Sequence, residues 1–420
     1  MNVLLKKVII LSSSSPYHRQ TKDIHIIDGI IQSIEDNITD EKAEQIAHDN
    51  MHVSIGWMDI FADFAEPGNE HRETIETGTK AAAAGGFTDV MLMPNTDPVV
   101  SSKTQVEFLK QRSALSPVTI HPIGAITKNA EGNELSEMYD MHASGAVAFS
   151  DGKKPVQQSG ILLKAMQYAL AKDAVIIQLP DDSSISSGGL MNEGRSSTQF
   201  GLPGIPAIAE EIMIARDLSL LQYTGSKLHI TGVSSKKGLE LINQSKKEGF
   251  SVTCSVTPYH LTFCDEYLIN YNTYFKVNPP LRTCEDMHAI QAALRNGEID
   301  CIASHHIPQC ADDKICEFEY AKNGMITLQT LFGTVNRLMN DTEALVKILS
   351  ENCRRIFSIE IPVIAEGEKA CLTIFDPAKE FIFDEKDIVS RSKNTAFAGI
   401  GMKGKVIGII NKNQIVLNEI

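Results

Sequence analysis

Between about residues 55 and 350 the sequence repeats one unit: a short apolar run, a polar loop, then a segment of helical period. The runs fall at 57–61, 88–93, 117–121, 145–149, 174–179, 227–231, 251–256 and 299–303, separated by helical segments such as 73–84 and 206–221. Strands that read as unbroken apolar stretches are buried on both faces, the state of a parallel sheet wrapped by helices. Eight such units over about 300 residues predict a (β/α)8 TIM barrel. A doubly wound sheet is the competing arrangement, but no Gly-x-Gly-x-x-Gly turn follows the first strand. In a barrel the chemistry sits where strands end and the next loops begin, so residues just past each run are the candidates.

The two ends of the chain read differently. Residues 3–11 and 24–35 are short β-like runs with Asp28-Gly29 as a hairpin turn, and 371–376, 405–410 and 414–417 repeat the pattern around Asn411-Lys412-Asn413. The expectation is a small β-sandwich-like domain assembled from 1–54 and 365–420, carried by a barrel of residues 55–364. The Ser12–Ser15 run reads as a solvated loop.

Composition narrows the functional classes. With 53 acidic against 39 basic residues the chain carries a formal charge of −14, which argues against a nucleic-acid surface. No 18-residue apolar run is present, and the first residues lack a signal-type apolar stretch, so the expected location is cytoplasmic. The 8 cysteines lie at irregular spacings without a Cys-x-x-Cys, which reads as reduced thiols. Cys310 and Cys316 lie near two histidines, but their spacing matches no standard zinc finger.

Several longer runs are distinctive: Glu66-Pro67-Gly68, the stretch Glu73 to Thr88, Met93-Pro94-Asn95-Thr96, Met191-Asn192-Glu193-Gly194, Gly201 to Pro206, Phe275 to Arg282, and Ser392-Lys393-Asn394-Thr395. On these the chain resembles the bacterial dihydroorotases of the amidohydrolase superfamily, over nearly its whole length. The resemblance implies a metal-bearing barrel with a β domain built from both termini. It also implies the interconversion of N-carbamoyl-L-aspartate and dihydroorotate in pyrimidine biosynthesis, with zinc polarising the carbonyl and holding a hydroxide.

The resemblance fails at the ligand positions. Where it implies a His-x-His pair, the chain has Phe61-Ala62-Asp63, and where it implies a carboxylate-clamping Arg, it has Ala65. The fifth-strand histidine is Gln178, the sixth-strand histidine is Gly232, and the eighth-strand catalytic aspartate is His305; the bridging acid survives as Asp151. Loss of the proton-shuttling aspartate alone implies a rate cost of roughly 10²–10⁴.

The remaining polar residues carry two readings each. Asn95, Asn278 and His306 match family positions that touch substrate, yet buried amides usually hydrogen-bond loop backbone. Asp63, Asp151, His305 and His306 fall at predicted strand ends and are candidates for a rebuilt one-metal site, since imidazoles and carboxylates suit zinc. His260 reads as a packed structural histidine. Two functions follow. One is a dihydroorotase-like pseudoenzyme without metal, acting as a homo-oligomer or as a structural partner of aspartate transcarbamoylase. The other is an active cyclic-amide hydrolase, of dihydroorotase, hydantoinase or allantoinase type, with zinc in a rebuilt site.

Overall fold

The eight apolar runs become eight parallel strands, in chain order around one sheet. They are Trp57–Ala62, Phe87–Leu92, Thr119–Gly124, Ala148–Phe149, Val175–Gln178, Lys227–Ile230, Val252–Val256 and Cys301–Ile302. Closure comes from a parallel bridge between Ala62 and His306, with the Asp63 amide donating to the His306 carbonyl at 2.9 Å. The strands pack against their helices through one continuous apolar core that includes Trp57, Phe87, Ile176, Ile230 and Cys301. The computed structural model describes residues 1–418, so the last two residues of the predicted 365–420 segment lie outside it.

Local chemistry fixes where elements begin. The first barrel helix, Ile75–Ala84, starts at Thr74, whose hydroxyl accepts from the Thr77 amide at 3.1 Å while Thr77 Oγ1 accepts from the Thr74 amide. Gly78 lets that helix approach the first strand's loop, because a Cβ there would stand 2.5 Å from the Phe64 ring. At the base of the barrel, Arg354 is buried against Asp89 at 2.5 Å and donates to the Gly56 carbonyl at 2.6 Å. The guanidinium and His121 outweigh the burial of Asp89 and hold its carboxyl down at about 2.

Strands from both ends of the chain join in one mixed sheet. Its order is Gln414–Leu417, Gly401–Asn411, Leu372–Ile382, His52–Ile55, Asn2–Ile10, Thr21–Ile27 and Ile30–Glu35, with Glu44–Ile46 pairing on Asn2–Ile10. The junction of the two ends is the antiparallel pairing of Leu372–Phe375 with His52–Ile55. Alternating residues of these strands, such as Val3, Leu5, Ile24, Ile26, Val53 and Ile374, bury an apolar layer of their own.

The reading of uniformly reduced thiols is corrected in one place: Cys264 and Cys284 are joined, with their Cα atoms 5.0 Å apart. Their 20-residue separation hid a pairing that the loop after the seventh strand makes by folding back on itself. Cys254, Cys301, Cys310, Cys316, Cys353 and Cys371 are free.

Candidate functional site at the barrel mouth

The strand ends converge as a barrel requires, but their side chains do not form a ligand shell. Phe61 is fully buried and packs against the His305 ring, with centroids 4.8 Å apart. Asp63 is buried and faces the Lys153 ammonium at 2.6 Å, while its other oxygen accepts from the Ala65 amide at 2.7 Å. Burial opposes the charge on Asp63, but Lys153 outweighs it and holds the carboxyl below its ordinary value. The position where the resemblance implies a carboxylate-clamping guanidinium is Ala65, an alanine in left-handed backbone (φ 56°).

Asp151 is turned toward the loop after the third strand. One oxygen accepts from the Thr127 amide at 2.9 Å and the other from the Thr127 hydroxyl. Burial raises its pKa to about 6 despite these bonds. Asn95 braces the loop after the fourth strand, which carries Asp151: its amide nitrogen donates to the Asp151 carbonyl at 2.9 Å and its oxygen accepts from the Lys153 amide at 2.8 Å. Gly152 permits this contact, since a Cβ there would lie 1.9 Å from Asn95 Oδ1.

Gln178 is buried beside Asp217 of the helix Ile208–Thr224, where neither amide atom finds a partner of good geometry. It pairs in register with Ile230, not with the inward-facing His229. Gly232 has φ +69°, and the space its side chain would fill belongs to His305. His305 Nε2 shares a hydrogen bond with Thr231 Oγ1 at 2.8 Å, and Nδ1 is buried without a partner. Burial, with neighbouring His260 and His229, lowers its pKa to about 3, so the ring is neutral.

The four residues expected to rebuild a metal site are not brought together. His306 turns out of the mouth: its Nδ1 accepts from the Thr327 amide at 3.2 Å and its Nε2 stands 3.6 Å from Glu73. Asn278 is half-buried beside Asp181, and His260 is buried with Nδ1 on Thr257 at 2.9 Å and Nε2 facing the Pro279 and Pro280 carbonyls. Cys310 Sγ donates to the Asp313 carboxylate at 3.1 Å and Cys316 Sγ to the Asp313 carbonyl at 3.9 Å, around the short helix Ala311–Lys314. Among the described residues, ligand atoms of three His, Cys, Asp or Glu side chains converge only at Cys264, Glu266 and Cys284. The residues at the mouth therefore do not fit a zinc pair: two positions have no donor, one carboxylate is paired with an ammonium, and the other is held by Thr127.

What fills the barrel instead is a chain of hydrogen bonds. Thr253 Oγ1 and Ser255 Oγ bond the two nitrogens of His229 at 2.8 and 3.0 Å, Ser255 donates to Thr231 at 2.9 Å, and Thr231 meets His305. Polar residues at 229, 231, 253 and 255, at period two within apolar strands, were the signal available in the sequence. A second network was less legible. Arg282 reaches Ser234 at 3.0 Å, Asn192 and the Ile205 carbonyl at 3.2 Å, and Glu210 at 3.3 Å, tying its own loop to the loop after the sixth strand, the short strands Met191–Asn192 and Gly204–Ile205, and the helix Ile208–Thr224.

The family model described as Dihydro-orotase-like matches residues 52–238. The dihydroorotase of Syntrophus aciditrophicus is 38% identical over 100% of both chains. That of Caldanaerobacter subterraneus subsp. tengcongensis is 40% identical over 99% of this chain and 97% of the relative. The chain belongs to the dihydroorotase family. Among solved structures, an L-hydantoinase (dihydropyrimidinase) from Arthrobacter aurescens superposes with a TM-score of 0.84 at 24% identity, covering 99% of this chain and 96% of that one. A D-hydantoinase gives 0.82 at 18% identity, over 100% and 95%. At such identities the likeness is one of fold. The dihydroorotase resemblance read from the sequence is thus borne out, as is the barrel with its β-rich termini.

Proposed function

We propose that this dihydroorotase-family chain does not run zinc-dependent ring chemistry at its barrel mouth and works through association, as a homo-oligomer or with aspartate transcarbamoylase. The observation that carries the reading is the Asp63–Lys153 pair at 2.6 Å. A dication at that carboxylate would have to displace an ammonium, in a mouth where the neighbouring ligand positions hold a phenyl ring and a glycine, neither of which supplies a donor atom. Association is supported by exposed Tyr267, Ile269, Ile315 and Tyr320 on the loops that follow the seventh and eighth strands. Cytoplasmic residence belongs to the same reading; no helix of residues 1–418 is long and apolar enough to cross a membrane.

A second reading is an active hydrolase of cyclic amides, with dihydroorotate as substrate. Full-length identity of 38–40% to proteins named dihydroorotase favours it, and the comparisons by themselves support it better than loss of activity. One experiment separates the two. Purified full-length protein is assayed for metal content and for N-carbamoyl-L-aspartate turnover with added zinc, then sized by light scattering alone and with aspartate transcarbamoylase. Turnover with bound metal establishes the hydrolase. A monomer that neither turns over substrate nor binds the transcarbamoylase removes the first reading.

A further inference from the structure

We propose that Cys264, Glu266 and Cys284 form a zinc site, distinct from the family's ligand positions, which a disulfide closes on oxidation. Cys264 precedes the turn Asp265–Asn270, and Cys284 opens the helix Cys284–Arg295. The ligand atoms of the three residues lie within 4.8 Å of one another. Two sulfurs and a carboxylate are donors that suit zinc, and three protein ligands leave one position for solvent.

The convergence does not depend on the sulfur–sulfur bond. The Asp265 amide donates to the Arg282 carbonyl at 2.8 Å, which joins the two segments just inside the cysteines. Asp265 is in turn fixed by Asn192 at 2.9 Å and Ser196 at 3.1 Å, and Arg282 by its network with Glu210. Breaking the disulfide therefore leaves both thiols beside Glu266. The amides that open the helix favour negative charge at Cys284, as thiolate ligation requires.

The two states interconvert with balanced chemistry. A phosphine reductant and water cleave the disulfide, giving phosphine oxide and two thiols. Zinc then binds the two sulfurs as thiolates and releases two protons to solvent. A disulfide of low molecular weight re-forms the Cys264–Cys284 bond by exchange, being itself reduced to two thiolates, and the metal is ejected. The segment enclosed by the pair carries Asn278 and Arg282, so either state clasps the loop whose Pro279 and Pro280 carbonyls face His260.

The test uses the full chain reduced with a phosphine and titrated with cobalt(II) as a spectroscopic stand-in, then with zinc. Reduced wild type is expected to give thiolate-to-cobalt charge-transfer absorption and to retain about one zinc per chain after gel filtration. Cys284→Ser, checked for folding by circular dichroism, should lose the band, and Glu266→Gln should weaken binding at least tenfold. Cys310→Ser should keep both. Absence of the band in reduced wild type, its survival in Cys284→Ser, or unchanged affinity in Glu266→Gln overturns the proposal.

Discussion

A Cβ placed on Gly232 would stand 2.7 Å from Cε1 of His305. The sixth- and eighth-strand ends have thus exchanged volume: the side chain missing from one is the space occupied by the other. Phe61 packs against the same imidazole, with ring centroids 4.8 Å apart. Three positions that the dihydroorotase resemblance assigns to metal chemistry are here one packed unit.

Gly232→Ala should destabilise the fold by about 2–4 kcal/mol, combining overpacking with left-handed backbone. In the His305→Ala background the clash with the imidazole disappears and only the Leu179 contact at 3.2 Å remains, so a double-mutant cycle by urea unfolding should show coupling of roughly 1–3 kcal/mol. Additive effects would mean that the two residues do not share the space.

Lys153→Met should cost about 1–3 kcal/mol at neutral pH, because it strands the buried Asp63 carboxylate. In wild type the folded pKa of Asp63 is lowered, so its contribution is complete above the ordinary carboxylate range and is lost as pH falls through the folded value. Without the ammonium, burial dominates and the sign reverses. The variant's deficit should therefore shrink toward acid pH, as measured by unfolding at several pH values.

His229, His260 and His305 should not titrate between pH 8 and 5 when followed by the NMR shifts of their rings. Burial lowers their pKa values from 6.5 to about 3, 4 and 3. The unfolded chain then binds the extra protons, so the stability these neutral rings contribute is present above about 6.5 and lost toward acid. Asp151 and Asp217, raised to about 6, act oppositely, losing stability as pH rises from 3.8 to about 6. His305→Gln should flatten the acid limb; a ring titrating near 6.5 would show an open mouth.

Partial repair of the ligand positions should not create dihydroorotase turnover. His305→Asp alone supplies a carboxylate without a metal, and Phe61→His with Asp63→His leaves Gly232 and Ala65 unchanged. Groups that act as a unit give little when restored singly. Adding Gly232→His should be tolerated in the His305→Asp background and not in wild type, read by thermal unfolding. Zinc-dependent turnover from either partial repair would show that the remaining donors suffice.

The barrel was legible because its signal is local and repeated. Each apolar run between 57 and 303 became a strand in the predicted order, and Asp28-Gly29 and Lys412-Asn413 made the turns expected of them. Phe61 and Gly232 could be read directly, since a side chain without a donor cannot ligate wherever it points. The Cys264–Cys284 pair could not, because irregular spacing says nothing about which loops fold back together.

What the sequence determined by itself was composition at each strand end: which groups are present, and therefore which chemistry lacks its atoms. What only the tertiary structure decided was the direction and pairing of the groups that remain. Asp63 met Lys153, Asp151 turned to Thr127, Gln178 faced the helix layer and His306 left the mouth for Glu73. For the two carboxylates the reason is that a buried charge takes the nearest partner able to satisfy it, and that partner is set by packing between distant segments; for Gln178 it is the strand register, which pairs it with Ile230 and turns it to the helix face.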